Sequence, residues 1–203
     1  MPAKVDNDDH PCRRLAKLRD LPTTSVLLLL TPVMVPSGFL NYDKRVTKPY
    51  EVSKARIEQI DTDPFEPLGR ALAKRYHRIR HVPYLPSVGL TSTHEAFITQ
   101  ADGVVVVTSE PEPKAGGRNG DAAAALRDCL ENQAEFAESV TDNLWASTGA
   151  ESDTESVPVV NLHFGLQQRK PAALDAFASV WVADKYTAAA VERIMQLLVD
   201  IPE

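Results

Sequence analysis

Five short apolar runs alternate with stretches patterned for helices, and this alternation constrains the chain more than anything else in it. The runs cover residues 26–30, 79–85, 104–108, 159–162 and 180–183. Strands separated by helices pair in parallel and are covered on both faces, so the order predicts an α/β three-layer sandwich. Its sheet is expected to be mostly parallel, with about five strands, and any site should lie in the loops at the strand ends. Residues 104–107 are four valines in a row. Without polar alternation they must be buried on both faces, which predicts a central strand.

The 203 residues fit one domain. A flexible leader is expected over residues 1–24, where Pro2, Pro11 and Pro22 limit any helix to about residues 13–20. A single domain then covers residues 25–203. Within it, residues 51–60 can form one helix, and a second opens near Pro67 with Leu68, Ala71, Leu72 and Tyr76 on one face. The clearest helix runs from Ala122 to about Val140, with Asp121 as its cap and Leu126, Cys129, Leu130, Gln133, Phe136, Ala137 and Val140 at helical spacing. Residues 145–156 turn polar and acidic and read as a surface insertion. A last helix follows Thr187 as N-cap, with Val191, Ile194, Met195 and Leu198 as its apolar stripe.

A formal charge of −6 argues against general attraction to nucleic acid or to an anionic membrane. The basic run Arg75 to His81 reads as the end of a helix, where cations are favoured by the helix dipole. Cys12 and Cys129 are too few for a disulfide framework, and Cys129 falls at an apolar helical position where a small thiol packs well. The longest apolar stretch, residues 26–35, is broken by Thr31 and Pro32 and is too short to span a bilayer. Asp6, Asp8 and Asp9 are unlike a basic signal leader. These features together predict a cytoplasmic protein with a small-molecule ligand, no membrane association and room for a protein partner.

No strand-end loop carries a decisive motif. Ser37 stands in the turn after the first run. After the second, Thr91, Ser92, His94 and Glu95 place hydroxyls, an imidazole and a carboxylate together, although Ser92 and Glu95 also fit a capping box at a helix start. After the third, Lys114 and Arg118 flank Gly116 and Gly117 in a loop that could approach a ligand closely. That loop matches neither the dinucleotide fingerprint nor a P-loop. His163, with Arg169 and Lys170 beyond it, could meet a small anion after the fourth run. The expected ligand residues are therefore Ser37, Thr91, Ser92, His94, Lys114, Arg118 and His163. The dispersed histidines predict no metal site, no motif calls for a cofactor, and the catalytic residues stay unassigned.

From Ala101 onward the order of features resembles the C-terminal α/β-sandwich domain of family 3 glycoside hydrolases. The likeness rests on Ala101-Asp102-Gly103 leading into Val104–Val107, the glycine-containing loop to Asp121, Asn132-Gln133-Ala134-Glu135-Phe136, Pro158-Val159-Val160, and Ala178-Ser179-Val180-Trp181 before an alanine-rich last helix. In that family a separate barrel supplies the nucleophile, and the sandwich domain lines the sugar site. This chain is too short to hold both. The resemblance therefore implies an isolated carbohydrate-related accessory or binding domain, or part of a larger gene product, without complete glycosidase machinery. Two alternatives stand beside it: a flavodoxin-like enzyme acting on a small nucleotide or sugar, and a protein-interaction module.

Overall fold

A computed structural model describes residues 11–37, 39, 63–112, 119–148, 157–165, 178–182 and 186–199. In chain order these form α1 (Pro11–Asp20), β1 (Val26–Pro32), α2 (Glu66–Leu72), β2 (Arg78–Tyr84), α3 (Ser92–Ile98), β3 (Gly103–Ser109), α4 (Asn119–Thr148), β4 (Val159–Phe164), β5 (Ala178–Val182) and α5 (Ala188–Val199). The strands make one sheet in the order β2-β1-β3-β4-β5, with every neighbouring pair parallel. β3 is the middle strand, and all seven of its residues are buried.

Side-chain alternation divides the core into two layers. Leu27, Leu29, Val105, Val107, Val160, Leu162 and Phe164 face one side and pack with α1, α2 and α5. Leu28, Leu30, Val104, Val106 and Val159 face the other and pack with α3 and α4. The chain therefore crosses from β1 to β2 over one face and from β2 to β3 over the other, which makes the fold a doubly wound α/β sandwich. β2 is an edge strand in which Arg78, Arg80 and Pro83 are exposed. Charge and a proline without an N–H both discourage further strand pairing there.

Several expectations shift in detail. The leader expected at 1–24 contains a docked helix: Leu18 of α1 is fully buried in the first core layer, and its carbonyl accepts a hydrogen bond from the Tyr76 hydroxyl at 2.7 Å. Gly103 permits this docking, because a Cβ there would lie 2.7 Å from Leu21 and 2.9 Å from Leu18. The basic run does not end α2, which stops at Leu72. Arg78 to His81 are already in β2, and Arg75 instead donates to the carbonyls of Arg19 and Leu21 behind α1.

α4 starts at Asn119, so Asp121 lies inside it, and it runs to Thr148 because buried Leu144 continues the stripe of Phe136, Ala137 and Val140. The expected insertion thus begins as helix, with Trp145 exposed, while residues 149–156 lie outside the described residues, as does the helix expected at 51–60. Thr187 does cap α5, accepting from the Ala190 N–H at 3.2 Å, and Val191, Ile194, Met195 and Leu198 are its buried stripe. Among the described residues no helix is long and apolar enough to cross a membrane. Since Leu18 fills a core site, Leu18→Ala should cost about 2–5 kcal/mol in denaturant unfolding. A loss below about 1 kcal/mol, typical of a surface position, would show that α1 is not docked.

Candidate functional site

A doubly wound sheet leaves a crevice at the carboxyl ends of its strands, where successive crossovers part to opposite faces. Here that point lies between β1 and β3. The loops beyond these strands are joined by main-chain bonds: Ser37 N–H donates to Glu110 O at 2.8 Å, Glu112 N–H donates to Val35 O at 2.9 Å, and Pro36 bridges Pro111 antiparallel. Ser37 O in turn accepts from Tyr186 N–H at 2.9 Å, which draws the chain after β5 into the same edge. Backbone bonding therefore brings Ser37 and Glu110 together.

Beside this junction, on the α4 face, lies a concentration of buried polar groups. Thr108, Ser109, Glu110, Gln133, Asn161 and His163 are all buried. Thr108 Oγ1 lies 3.1 Å from Asn161 Oδ1 and 2.9 Å from His163 Nδ1, whereas Asn161 Nδ2 has no partner. Gln133 uses both ends of its amide on one residue: it accepts from Ser109 N–H at 2.8 Å and donates to Ser109 O at 3.0 Å. Cys129, one turn earlier, is half-buried beside Gln133, and burial pushes its thiol upward, which makes it a poor nucleophile. Gly165 closes the group. A Cβ there would meet Glu110 Oε1 and His163 Nε2 at 2.7 Å each, so the carboxylate and the imidazole converge on its backbone.

A second polar chain lies on the opposite face. Thr31 Oγ1 is 2.7 Å from His81 Nε2, His81 Nδ1 is 3.0 Å from Asp63 Oδ2, and Asp63 Oδ1 accepts from Phe65 N–H at 2.9 Å. The order hydroxyl, imidazole, carboxylate is that of a nucleophilic triad. Thr31, however, is 1% exposed, so its oxygen is packed in the sheet, and the chain works as a clamp between the start of α2 and β1. His81→Ala would leave the Thr31 hydroxyl buried without this partner, at a cost of about 1–3 kcal/mol measured by denaturant unfolding. No measurable loss would remove the clamp.

The expected ligand residues are placed unequally. Ser37 sits at the crevice and His163 in the buried cluster. Thr91, Ser92 and His94 open α3 on the same face as that cluster. The cap is Thr91 rather than Ser92, and its N–H donates to His94 Nδ1 at 3.1 Å. His94 thus takes the place expected of Glu95, because its ring reaches back across one turn. Its Nε2 lies 3.3 Å from Pro83 O, and its edge meets the ring of Phe136, which stacks on Tyr84 at 3.7 Å. These contacts make His94 a packing and capping residue. Lys114 and Arg118 lie outside the described residues. Glu110, Thr108, Asn161 and Gln133 were not singled out as site residues in the sequence. Among the described residues no group of histidine, cysteine and carboxylate side chains could hold a metal ion.

Burial pushes the His163 imidazole down from its ordinary 6.5 to about 4. Between these values the unfolded chain binds a proton that the folded chain refuses. The contribution is complete above pH 6.5 and is lost as pH falls towards 4. The loss should approach about 3 kcal/mol, and His163→Gln should flatten the stability profile over that window. Parallel profiles for the two proteins would show that His163 does not titrate in this way.

Compared with known proteins, the chain matches no family model and no curated sequence.

Proposed function

We propose that this chain is a binding domain for a small carbohydrate-related ligand, held at the carboxyl ends of β3 and β4, and that it has no autonomous glycosidase activity. The observation that carries the reading is the buried cluster of Thr108, Ser109, Glu110, Gln133, Asn161 and His163. Buried polar groups cost free energy unless they are fully bonded, and this cluster adjoins the β1/β3 crevice at which doubly wound folds bind ligands. Amide, hydroxyl and neutral imidazole groups beside one carboxylate suit a ligand rich in hydroxyls. The resemblance of residues 101–200 to the sandwich domain of family 3 glycoside hydrolases points the same way. Glycoside hydrolysis ordinarily uses two carboxyl groups flanking one bond, and the buried cluster offers Glu110.

One observation favours a second reading. The order β2-β1-β3-β4-β5 is also that of flavodoxin-like folds, which bind their ligands at the β1/β3 crevice. An enzyme acting on a small nucleotide or sugar would need no missing barrel. Thermal unfolding of the purified chain with methyl glucoside, N-acetylglucosamine, AMP and an aryl glycoside separates the two. A neutral sugar should raise the melting temperature in proportion to its occupancy, with no turnover of the aryl glycoside. Efficient hydrolysis would overturn the non-catalytic reading, and stabilisation by AMP alone would favour the enzyme.

A further inference from the structure

Val33 N–H donates to Tyr84 O at 2.8 Å, and this bond fixes the phase of the edge strand β2. In a parallel pair, alternate residues of a strand turn both main-chain groups to the same neighbour. Arg78, Arg80, Val82 and Tyr84 therefore face β1, while Ile79, His81 and Pro83 face away from it. Pro83 sacrifices no ladder bond there, since it has no N–H, and its carbonyl lies 3.3 Å from His94 Nε2. Ile79 and His81 differ from it. No described residue bonds their main chain on the open side, so the N–H and C=O groups of both stand along the edge of the sheet.

The side chains beside that edge alternate between its two faces. Arg80 is in register with Leu28 of the second core layer, and its guanidinium lies 5.5 Å from the centre of the Phe97 ring on α3. Arg78 shares this face by the period of two. Both arginines are exposed, and neither enters an ion pair among the described residues. Ile79 lies on the other face, packed partly buried against the first layer. Arg78 and Arg80 repel the same edge of a second copy, and by the same charge they suit a facing strand with a carboxylate at every second position. A nucleic acid could meet the guanidiniums, but it offers no ladder of donors and acceptors at strand spacing to Ile79 and His81. We propose that the open edge of β2 docks an extended segment of a partner protein in which acidic and apolar residues alternate. Its backbone bonds Ile79 and His81, its carboxylates face Arg78 and Arg80, and its apolar side chains extend the face of Ile79. The proposal does not depend on the ligand reading of the strand-end site.

A labelled probe peptide, Glu-Val-Glu-Val-Glu-Val-Glu, tests the edge on the full chain by fluorescence anisotropy and amide hydrogen exchange. It should bind, and the Ile79 and His81 amides, fast in the free protein, should slow on binding, whereas those of Arg80 and Val82 should be slow throughout. Glu-Glu-Glu-Glu-Val-Val-Val, of the same composition, and the alternating peptide N-methylated at every residue should each bind about tenfold more weakly or less well still. Arg78→Glu combined with Arg80→Glu should weaken the acidic probe about tenfold or more and favour Lys-Val-Lys-Val-Lys-Val-Lys instead. Equal binding of the N-methylated peptide or of oligothymidylate would make the patch a general anion surface and overturn the proposal. So would Ile79 and His81 amides unchanged by bound peptide, an unaltered affinity in the folded double variant, or a wild-type protein that binds no probe.

Discussion

The structure depends on two neighbouring strands, β1 and β3, having to be covered on both faces. Their side chains are apolar on either side, Leu27 to Leu30 in one and Val104 to Val107 in the other. A parallel sheet of this kind is stable only as the middle layer of three, because each exposed face would leave a continuous apolar surface in water. The crossovers meet that demand by dividing: α2 and α5 go to one side, α3 and α4 to the other. The first layer needs α1 as well. Its Leu18 packs there, and Arg19 Nε donates to the Leu197 carbonyl of α5 at 2.6 Å, which joins the amino-terminal helix to the last one.

Apolar cover is complete along the amino-terminal part of each central strand and gives way to polar groups near the carboxyl ends. Thr31 ends the leucine run of β1, Thr108 and Ser109 end the valine run of β3, and Asn161 and His163 interrupt β4. Each of these groups draws in a partner from a distant part of the chain. Thr31 takes His81 and through it Asp63, Ser109 takes Gln133, and Thr108 takes both Asn161 and His163. The polar end of the sheet is thus specified by directional bonds, while the apolar end is specified by volume and pattern.

This difference explains what could be read from sequence. The strands were legible because an apolar run flanked by helical spacing has one stable placement, and the last helix was legible because Thr187 and its stripe are local. The docking of α1 is not legible locally, because its short amphipathic pattern finds a place in the core only where Gly103, more than 80 residues away, leaves space for Leu18. The Thr31–His81–Asp63 chain joins three separate segments, and no local spacing announces it. The α4-face cluster did leave a trace. Asn161 and His163 stand two apart in an otherwise apolar strand, so a period of two puts both on one face. Read together with Thr108 at the end of the valine run, that pair would have located the cluster, and with it Glu110. His94 stands with hydroxyls and a carboxylate after the second strand, a grouping that suits a site, yet its ring is committed to a cap.

Gln133 shows how the fold and the proposed site are joined. At Ser109 the chain leaves the sheet, so a buried peptide group there loses its regular ladder partners. The Gln133 amide replaces them, accepting from the N–H and donating to the carbonyl of the same residue. Such a replacement lets β3 end inside the core rather than at its surface, and the next residue, Glu110, consequently starts the loop while still buried. A strand ending in water would have given that carboxylate a solvated and mobile position. With β3 ended by Gln133, with Ser37 and Phe164 holding its main chain and Gly165 leaving room for its carboxylate, Glu110 starts the loop from a fixed main-chain position. The same polar bonds that terminate the central strand therefore also fix where the loop beyond it begins.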